Sequence, residues 1–329
     1  MMEEKYFAQS CSDSRYTLYR MESQDSVIAF TLLVFICFVL QSQAEMAMVM
    51  EEQKHCHLAT KGQAKMGYVV RGVQDVKNLS LQNIRHIKSM LLENGVVVIE
   101  KQNLTRQQQV AFTSKLGEIV VLPASFEGND PELGFPEIQR VTNYWSNGTW
   151  KAKKHCFGCY WHKDGNFQQN GYLASVLYAD KVAENRSATL FLDNCEVHGK
   201  LTKMTRKVLS ESVFTVSVRN FPDFSKGKEE DYALFPFIKR HEGIYRHPEN
   251  GRTCAYITNT LLTENGYADH LRGAWAEITG FSEKYIHYWK KGDIVIWDNL
   301  AVMHRAGFKL VSGPNQKTPR MLYRTQAFL

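Results

Sequence analysis

The chain of 329 residues can form one large domain or two small ones, and its 44% hydrophobic and 12% aromatic content is ordinary for a protein with a buried core. The formal net charge of +6 comes without a long basic block interleaved with aromatic residues. This pattern argues against nucleic acid as a partner and is compatible with a small anionic one.

Seven scattered cysteines are too few for a disulfide framework, and Cys195 and Cys254 are interpreted as small buried hydrophobes.

An uncharged apolar run, residues 27–40, lies near the start of the chain. It is shorter than the ~20 residues of a bilayer-spanning helix, and small residues after it resemble a cleavage site. Three interpretations stay open: a cleaved secretory or organellar leader, an uncleaved anchor that contacts the membrane, and a hydrophobic segment of neither kind. We therefore expect residues 1–65 to lie outside the folded domain. We expect a secretory, organellar or membrane-anchored location, and a cytoplasmic one if the run is neither leader nor anchor.

Residues 66–329 are predicted to form the folded domain, and its first part contains clear helix signals. Apolar residues at helical spacing stand between Ser80 and Gly95, which predicts a helix bounded by these two residues. The aliphatic run 96–99 is typical of a buried strand. A capping-box pattern that begins at Thr105 predicts a second helix, which runs to residue 116.

The rest of the chain alternates short strand-like runs with a few helical ones. Strand patterns occur at 173–182, 189–193, 244–246, 254–258, 294–297 and 320–326. Helical patterns occur at 204–214 and 275–289, the second of them broken at Gly280. Many short strands with a few helices predict a mixed α+β protein built on a β-sandwich or barrel.

Residues 155–164, HCFGCYWHKD, combine a Cys-x-x-Cys pair with a His-x-Asp pair. A structural zinc site on Cys156 and Cys159 needs four ligands, and the sequence contains no second Cys-x-x-Cys pair. A redox dithiol usually lies where a strand turns into a helix, which residues 160–164 do not resemble. A disulfide within the pair and two incidental cysteines stay open as further interpretations.

The His-x-Asp pair predicts a different kind of metal site. His162 and Asp164 point to the same side if this segment is extended. His304 follows the predicted core strand 294–297 and a turn, and it is a candidate third ligand. Two imidazoles and one carboxylate on one octahedral face leave three positions open. Iron(II) needs such positions when it must also bind a cosubstrate and oxygen, so we predict a non-haem iron site.

Four segments stand out in order along the chain: Trp161–Asp164, Ala188–Asp193, Gly292–Asn299 followed by His304, and Arg320–Arg324. With these motifs, the chain from about Gly95 to its C-terminus resembles the taurine dioxygenase (TauD/TfdA) branch of the iron(II)/2-oxoglutarate-dependent oxygenases. Segment 185–188 departs from the family pattern, because Asn-Arg-Ser-Ala stands where the family usually carries two glycines.

The resemblance implies a double-stranded β-helix, or jelly-roll, core with flanking helices. It implies three iron ligands, His162, Asp164 and His304. It also implies that Thr189 hydrogen-bonds a carboxylate of 2-oxoglutarate and that Arg320 clamps the distal carboxylate. For Arg324 it implies contact with an anionic group on the substrate or assistance to the cosubstrate.

The activity that the resemblance implies is oxidation of an unactivated C–H bond in a small anionic metabolite, a carboxylate or a sulfonate. Fe(II), 2-oxoglutarate and O2 would take part, with release of succinate and CO2. Hydroxylation and desaturation or cyclisation stay open as outcomes, as does the oligomeric state. Two alternatives are a catalytically inactive jelly-roll binding protein and a zinc site built on Cys156 and Cys159.

Overall fold

The structure is a computed structural model that describes residues 66–122, 134–142, 158–167, 171–182, 187–220, 229–233, 238–258, 269–282, 284–307 and 320–328. Residues 64–329 cluster into one compact unit. The division into a leader, 1–65, and a domain, 66–329, stays a prediction, and the apolar run 27–40 lies outside the described residues.

The elements alternate between strands and helices along the chain, which confirms a mixed α+β protein. The helices are α1 (Leu81–Asn94), α2 (Arg106–Ser114), α3 (Asn194–Lys200), α4 (Lys203–Ser210), α5 (Glu229–Ala233) and α6 (Asp269–Gly280). The strands are β1 (Tyr68–Val69), β2 (Val96–Ile99), β3 (Gln139–Thr142), β4 (Tyr172–Val182), β5 (Ala188–Asp193), β6 (Val213–Ser217), β7 (Ile238–Glu242), β8 (Ile244–Arg246), β9 (Thr253–Ala255), β10 (Tyr285–Tyr288), β11 (Ile294–Asp298), β12 (Val302–Gly307) and β13 (Arg320–Phe328).

The first two long helices form where their end signals predict. The side chain of Ser80 accepts a hydrogen bond from the backbone of Asn83, whose own side chain accepts one from the backbone of Ser80. The same reciprocal capping box, built on Thr105, begins α2. Gly95 ends α1 with a φ of 74°, a conformation that glycine adopts without steric cost.

Two main sheets organise the fold among the described residues. The large sheet has the strand order β1-β2-β11-β4-β13-β3, and the small sheet has the order β10-β5-β12. Two further pairs, β6-β7 and β8-β9, form two-stranded sheets. Except for the parallel pair β1-β2, the strand pairs are antiparallel.

One hydrophobic cluster joins the two main sheets. Side chains along a strand alternate between its faces, so every second residue contributes to this cluster, and we call that side of each sheet its inner face. The large sheet supplies Val96, Val98, Leu177, Val295, Trp297 and Leu322, and the small sheet supplies Phe191 and Val302. A second cluster packs α1 and α2 on the other side of the large sheet, through Ile84, Ile87, Phe112, Val97, Ile99 and Ile296.

Two helix predictions were wrong in their bounds. The helix predicted at 204–214 ends at Ser210, and β6 begins at Val213 because it pairs with β7. The helix predicted at 275–289 runs instead from Asp269 to Gly280, where the predicted break stands, and β10 follows it. The pairing of β10 with β5 outweighs the local helical pattern, and this register cannot be inferred from the segment alone.

The interpretation of Cys195 and Cys254 as separate hydrophobes was also wrong. The two residues form a disulfide across 59 positions, and both are buried. Helix α3 packs against β9, which brings the two sulfurs together. So wide a spacing in a chain with few cysteines carries no pairing signal, which is why the sequence did not predict the bond.

Candidate active site

The two predicted histidine ligands lie opposite each other on neighbouring backbones. The backbone N–H of His162 donates to the carbonyl of His304 at 3.0 Å, and that of His304 donates to the carbonyl of His162 at 2.9 Å. This reciprocal pair adds His162 to the edge of the small sheet, next to β12. The two imidazole rings therefore face the same side, with centroids 4.3 Å apart.

Each imidazole presents its Nε2 atom to Asp164. Nδ1 of His162 lies 2.7 Å from the carbonyl of Tyr160, and a proton on Nδ1 leaves a lone pair on Nε2. Nδ1 of His304 is buried without a hydrogen-bond partner among the described residues. The rings of Phe191 and Trp297 lie against His304, at centroid distances of 6.1 Å and 4.6 Å.

Asn299 brings Asp164 to the two histidines. The backbone N–H of Asp164 donates to Oδ1 of Asn299 at 2.9 Å, and Nδ2 of Asn299 donates to the carbonyl of Asp164 at 2.8 Å. Asn299 stands in the turn between β11 and β12, so this amide connects the His-x-Asp segment to the turn that leads to His304. The neighbouring Asp298 accepts from the backbone N–H groups of residues 300 and 301 and supports the same turn.

The three predicted ligands meet in one buried cluster. Oδ1 of Asp164 lies 3.8 Å from Nε2 of His162 and 3.8 Å from Nε2 of His304. One donor atom from each residue lies within 4.8 Å of the others. The three residues are between 5% and 7% exposed.

The protonation states of the cluster suit a metal. Burial raises the pKa of Asp164, but Arg324, both imidazoles and a hydrogen bond from Ser175 outweigh it and lower that pKa to about 2. Burial lowers the pKa of His304 well below its ordinary value, and His162 adds to this effect. An ionised carboxylate and a neutral imidazole are the forms that coordinate metals. Two imidazole nitrogens and one carboxylate oxygen form the donor set of facial iron(II) sites, which these residues fit.

The carboxylate of Asp164 has further partners on the inner face of the large sheet. Ser175 donates to its Oδ2 at 2.8 Å, and Gln326 donates to the Ser175 hydroxyl at 2.9 Å. Arg324 donates to Oδ1 through Nη1 and to the side chain of Gln139 through Nη2. Arg324 was predicted from its sequence motif, whereas Ser175, Gln326 and Gln139 were not predicted.

Thr189 lies on the inner face of the small sheet, one pair of residues away from the cluster. It is paired with Ala306, and Phe191 is paired with His304. Residues two apart on a strand share a face, so Thr189 faces the same side as the His304 imidazole. The indole Nε1 of Trp289 donates to the Thr189 hydroxyl at 2.9 Å, and Trp289 is fully buried.

Arg320 and Arg324 lie on the same side of β13. They are four residues apart, with Leu322 of the inter-sheet cluster between them, so both side chains belong to the inner face. Their Cα atoms are about 13 Å apart along the strand, which separates Arg320 from Asp164. Burial lowers the pKa of Arg320 to about 10, and its guanidinium therefore stays charged at neutral pH.

The residue between His162 and Asp164 points away from the cluster. Lys163 is 3% exposed and donates to the Tyr245 hydroxyl at 2.8 Å and to the carbonyl of Leu300. Burial lowers the pKa of Lys163 to about 7, although Asp298 and Asp193 oppose this effect.

The Cys-x-x-Cys pair does not offer a zinc site. Cys159 is disulfide-bonded, so it has no thiolate for a metal, and Cys156 lies outside the described residues. Across the described ranges, the only cluster of His, Cys, Asp and Glu that could hold a metal is His162, Asp164 and His304. The zinc alternative is therefore not supported.

Comparison with protein families identifies the chain's relatives. The model of the family described as taurine catabolism dioxygenase TauD, TfdA family matches residues 61–326. The chain belongs to the TauD/TfdA family. Among its relatives, the alpha-ketoglutarate-dependent 2,4-dichlorophenoxyacetate dioxygenase of Cupriavidus pinatubonensis is 23% identical over 71% of this chain and 87% of that protein. The (S)-phenoxypropionate/alpha-ketoglutarate-dioxygenase of Sphingobium herbicidovorans is 24% identical over 74% of this chain and 86% of that protein.

Solved structures share the fold of this TauD/TfdA protein. A taurine dioxygenase from Burkholderia xenovorans matches with a TM-score of 0.63 and 22% identity, covering 81% of this chain and 87% of the other. AAD-2 in complex with Mn(II) and N-oxalylglycine matches with a TM-score of 0.65 and 22% identity, covering 81% and 94%.

Family membership establishes the class of enzyme. This TauD/TfdA protein is a 2-oxoglutarate-dependent dioxygenase, and its cofactor and cosubstrates are Fe(II), 2-oxoglutarate and O2. The prediction of a secretory, organellar or membrane-anchored location was wrong, because the matched relatives are bacterial dioxygenases of this type. No helix within the described ranges is long and apolar enough to cross a membrane.

Proposed function

We propose that this TauD/TfdA dioxygenase oxidises an unactivated C–H bond of a small carboxylate or sulfonate, by hydroxylation or by desaturation or cyclisation. Succinate and CO2 are the coproducts. The supporting observation is the buried guanidinium of Arg324 beside the His162, Asp164 and His304 cluster. The two relatives named after phenoxy acids act on substrates that carry a carboxylate, which agrees with this proposal.

Arg324 is suited to bind an anion next to the metal. It is 7% exposed, and its Nη atoms reach Asp164 and Gln139, whereas Nε has no partner among the described residues. A buried cation with an unused N–H gains free energy from an anionic ligand, because no water competes for the hydrogen bond. An acid held there has its neighbouring C–H bonds close to the cluster.

Thr189 and Arg320 are the proposed partners of the 2-oxoglutarate carboxylates. The Thr189 oxygen already accepts from Trp289, so its hydroxyl hydrogen can be donated to a carboxylate. Arg320 is charged, half-buried and on the inner face, where a carboxylate can pair with it bidentately. In this arrangement, Arg320 binds an anionic group of the cosubstrate and Arg324 binds an anionic group of the substrate.

The proposed arrangement is that of a jelly roll whose two sheets enclose the site. His162, Asp164 and His304 hold Fe(II), which supplies the activation of O2 that protein side chains lack. The protein's residues bind the two acids, orient them, and exclude water through the apolar side chains of both inner faces. The carboxylate of Asp164 stays ionised and the His304 imidazole neutral, so no proton has to leave either group before metal binds.

Succinate release tests the substrate class. Fe(II)- and 2-oxoglutarate-loaded protein is offered aryloxyacetates, aliphatic carboxylates and alkyl sulfonates, each beside its neutral amide or sulfonamide. We expect an acid to stimulate succinate release at least about tenfold more than its neutral counterpart, because one charged hydrogen bond is lost. In Arg324→Met, this preference should fall below about threefold.

Two controls make the result interpretable. Mn(II) binding is measured for Arg324→Met, because Arg324 also contacts Asp164 and its loss can disturb the metal cluster. His162→Ala should abolish succinate release with every compound. Equal stimulation by acids and neutral analogues would contradict the proposed substrate class. Binding of Mn(II) and 2-oxoglutarate without succinate from any compound would favour the inactive binding protein instead.

A further inference from the structure

The polar side chains that surround Asp164 on the inner face of the large sheet are buried next to the hydrophobic cluster between the sheets. Ser175 is fully buried and Gln326 is 3% exposed. Ser175 lies on β4 between Trp297 of β11 and Gln326 of β13. The same inner face carries the apolar side chains of Leu177 and of Val295 on β11, and burying a hydroxyl and an amide beside them costs free energy unless both are hydrogen-bonded.

The hydrogen bonds of Ser175 have a defined direction. The amide Nε2 of Gln326 has only hydrogens to donate, so it occupies a lone pair of the Ser175 oxygen. The carboxylate of Asp164 has no hydrogen, so the single hydroxyl hydrogen of Ser175 goes to Oδ2. The two hydrogen bonds therefore donate in one direction, from Gln326 to Ser175 and from Ser175 to Oδ2 of Asp164.

The two oxygens of Asp164 differ in their surroundings. Oδ2 accepts from Ser175, whereas Oδ1 lies 3.8 Å from Nε2 of both His162 and His304. Arg324 also contacts Oδ1, but a carboxylate oxygen has two lone pairs and can serve a second partner. Oδ1 is therefore the oxygen placed for coordination.

We propose that Ser175, held by Gln326, is a positioning residue that retains Oδ2 of Asp164 and so makes the aspartate a one-oxygen metal ligand through Oδ1. This inference rests on the proposed ligand set. Retention of Oδ2 keeps it from a second coordination position, and the open positions on the metal stay available to 2-oxoglutarate and O2. Groups that orient a metal ligand typically change metal affinity about 10- to 100-fold when they are removed.

The chain offers a matched control on the other face of β13. Thr113 and Thr325 share a buried hydrogen bond between their hydroxyls at 2.6 Å, and both residues are fully buried. Thr113→Val removes a buried hydroxyl hydrogen bond between α2 and the same sheet without touching Asp164. A loss that is merely structural should affect Thr113→Val and Ser175→Ala alike.

The test measures Mn(II) binding to the full chain under anaerobic conditions, followed by 2-oxoglutarate binding to the Mn(II)-loaded protein. Ser175→Ala is expected to weaken Mn(II) binding about 10- to 100-fold and to weaken 2-oxoglutarate binding as well. Ser175→Thr, which keeps the hydroxyl, and Thr113→Val should stay within about threefold of the unmodified protein. Gln326→Leu, which leaves the hydroxyl without its support, should lose about three- to tenfold and decides the question if Ser175→Ala does not fold.

The inference is overturned if Ser175→Ala binds Mn(II) and 2-oxoglutarate within about threefold of the unmodified protein, or if Thr113→Val loses as much. His162→Ala separates this failure from failure of the ligand set. If the unmodified protein binds Mn(II) and His162→Ala does not, the ligand set stands whatever Ser175→Ala shows. If His162→Ala binds Mn(II) normally, the ligand set and the inference fail together.

Discussion

The small sheet and the large sheet position the metal cluster in different ways. On the small-sheet side, His162 and His304 are held by their own backbones, through a reciprocal pair of N–H to C=O hydrogen bonds. On the large-sheet side, Asp164 is held by side chains, because Ser175 and Arg324 reach its two oxygens from neighbouring strands. Backbone pairing tolerates changes in surrounding side chains, whereas a carboxylate held by side chains depends on each of them.

This difference means that one part of the site depends on backbone pairing and the other on individual side chains. The imidazole positions follow from strand pairing, which is common to the whole small sheet. The orientation of the carboxylate and the charge next to it follow from a few polar residues on the inner face of the large sheet. Substitutions there should change metal and anion binding without loss of the fold.

The largest expected effect comes from the loss of a metal ligand, whichever of the two sheets positions it. His304→Ala and Asp164→Ala should each weaken Mn(II) binding at least about a thousandfold, or ~4 kcal/mol, because each variant lacks one of three protein ligands. Titration with Mn(II) measures the loss, and His198→Ala on α3 is the control, since that histidine lies outside the cluster. Binding within about tenfold of the unmodified protein in either ligand variant would show that the metal lies elsewhere.

Asn299 is the connection between the His-x-Asp segment and the turn before β12. Asn299→Ala leaves a buried N–H and a buried C=O of Asp164 without partners, so the free energy of unfolding should fall by about 3 kcal/mol. Urea unfolding of the metal-free protein measures this change.

Asn250→Ala is the matched control for Asn299→Ala. Asn250 also makes two hydrogen bonds to backbone groups, of Leu92 and Arg252, but it is only half-buried. Water can replace its bonds, so the loss should stay below about 1 kcal/mol. Equal losses in the two variants would mean that the Asn299 amide has no special part in holding Asp164.

The pH dependence of stability distinguishes Asp164 in the metal cluster from His241 on β7 by the pH window in which each acts. Burial and the nearby charges of Lys163 and Lys239 lower the pKa of His241 from 6.5 to about 4, and the hydrogen bond to Asn166 only partly opposes this. The unfolded chain therefore binds the proton first, and stability is lost as the pH falls from 6.5 toward 4. His241 should contribute about 2 kcal/mol to this loss, given its partial exposure.

Asp164 has the opposite kind of shift and a lower window. Its pKa falls from 3.8 to about 2, so its contribution to stability is present above pH 3.8 and is lost as the pH falls toward 2. Urea unfolding at several pH values measures both windows. In His241→Phe, the free energy of unfolding should depend less steeply on pH between 6.5 and 4, and its dependence below pH 3.8 should not change. Some dependence remains in the upper window, because the lowered pKa of His304 acts in the same direction. An unchanged slope between pH 6.5 and 4 in this variant would contradict the assignment to His241.

The smallest expected effect concerns Trp289, which supports Thr189 on the small sheet. Trp289→Phe removes the indole N–H and keeps most of the buried aromatic volume. Binding of 2-oxoglutarate to the Mn(II)-loaded protein should weaken about fivefold, or ~1 kcal/mol, and Mn(II) binding should not change. If Mn(II) binding weakens by the same factor, Trp289 acts on the whole site and not on the cosubstrate contact.

Local signals in the sequence predicted the parts of the fold that depend on neighbouring residues. The capping boxes at Ser80 and Thr105 and the glycine after α1 are examples, because their hydrogen bonds join residues three or four apart. The segment 281–289 was mistaken for helix because its strand character comes from pairing with β5, almost a hundred positions away.

The same distinction applies to the site. His162, Asp164 and His304 could be predicted because each stands in a motif with its own local pattern. Ser175 and Gln326 could not, because their contact depends on the register between β4 and β13, which join residues 151 positions apart. The available signal was a polar residue at an inward position of an otherwise apolar strand, and it indicates burial with a partner without identifying that partner.

A crystal structure of the protein with Mn(II) bound tests whether His162, Asp164 and His304 form the metal site. We expect the ion to contact Nε2 of His162, Nε2 of His304 and Oδ1 of Asp164, with Ser175 still donating to Oδ2. An ion bound at another place, or bound to Asp164 through Oδ2 with the Ser175 hydrogen bond broken, would contradict it.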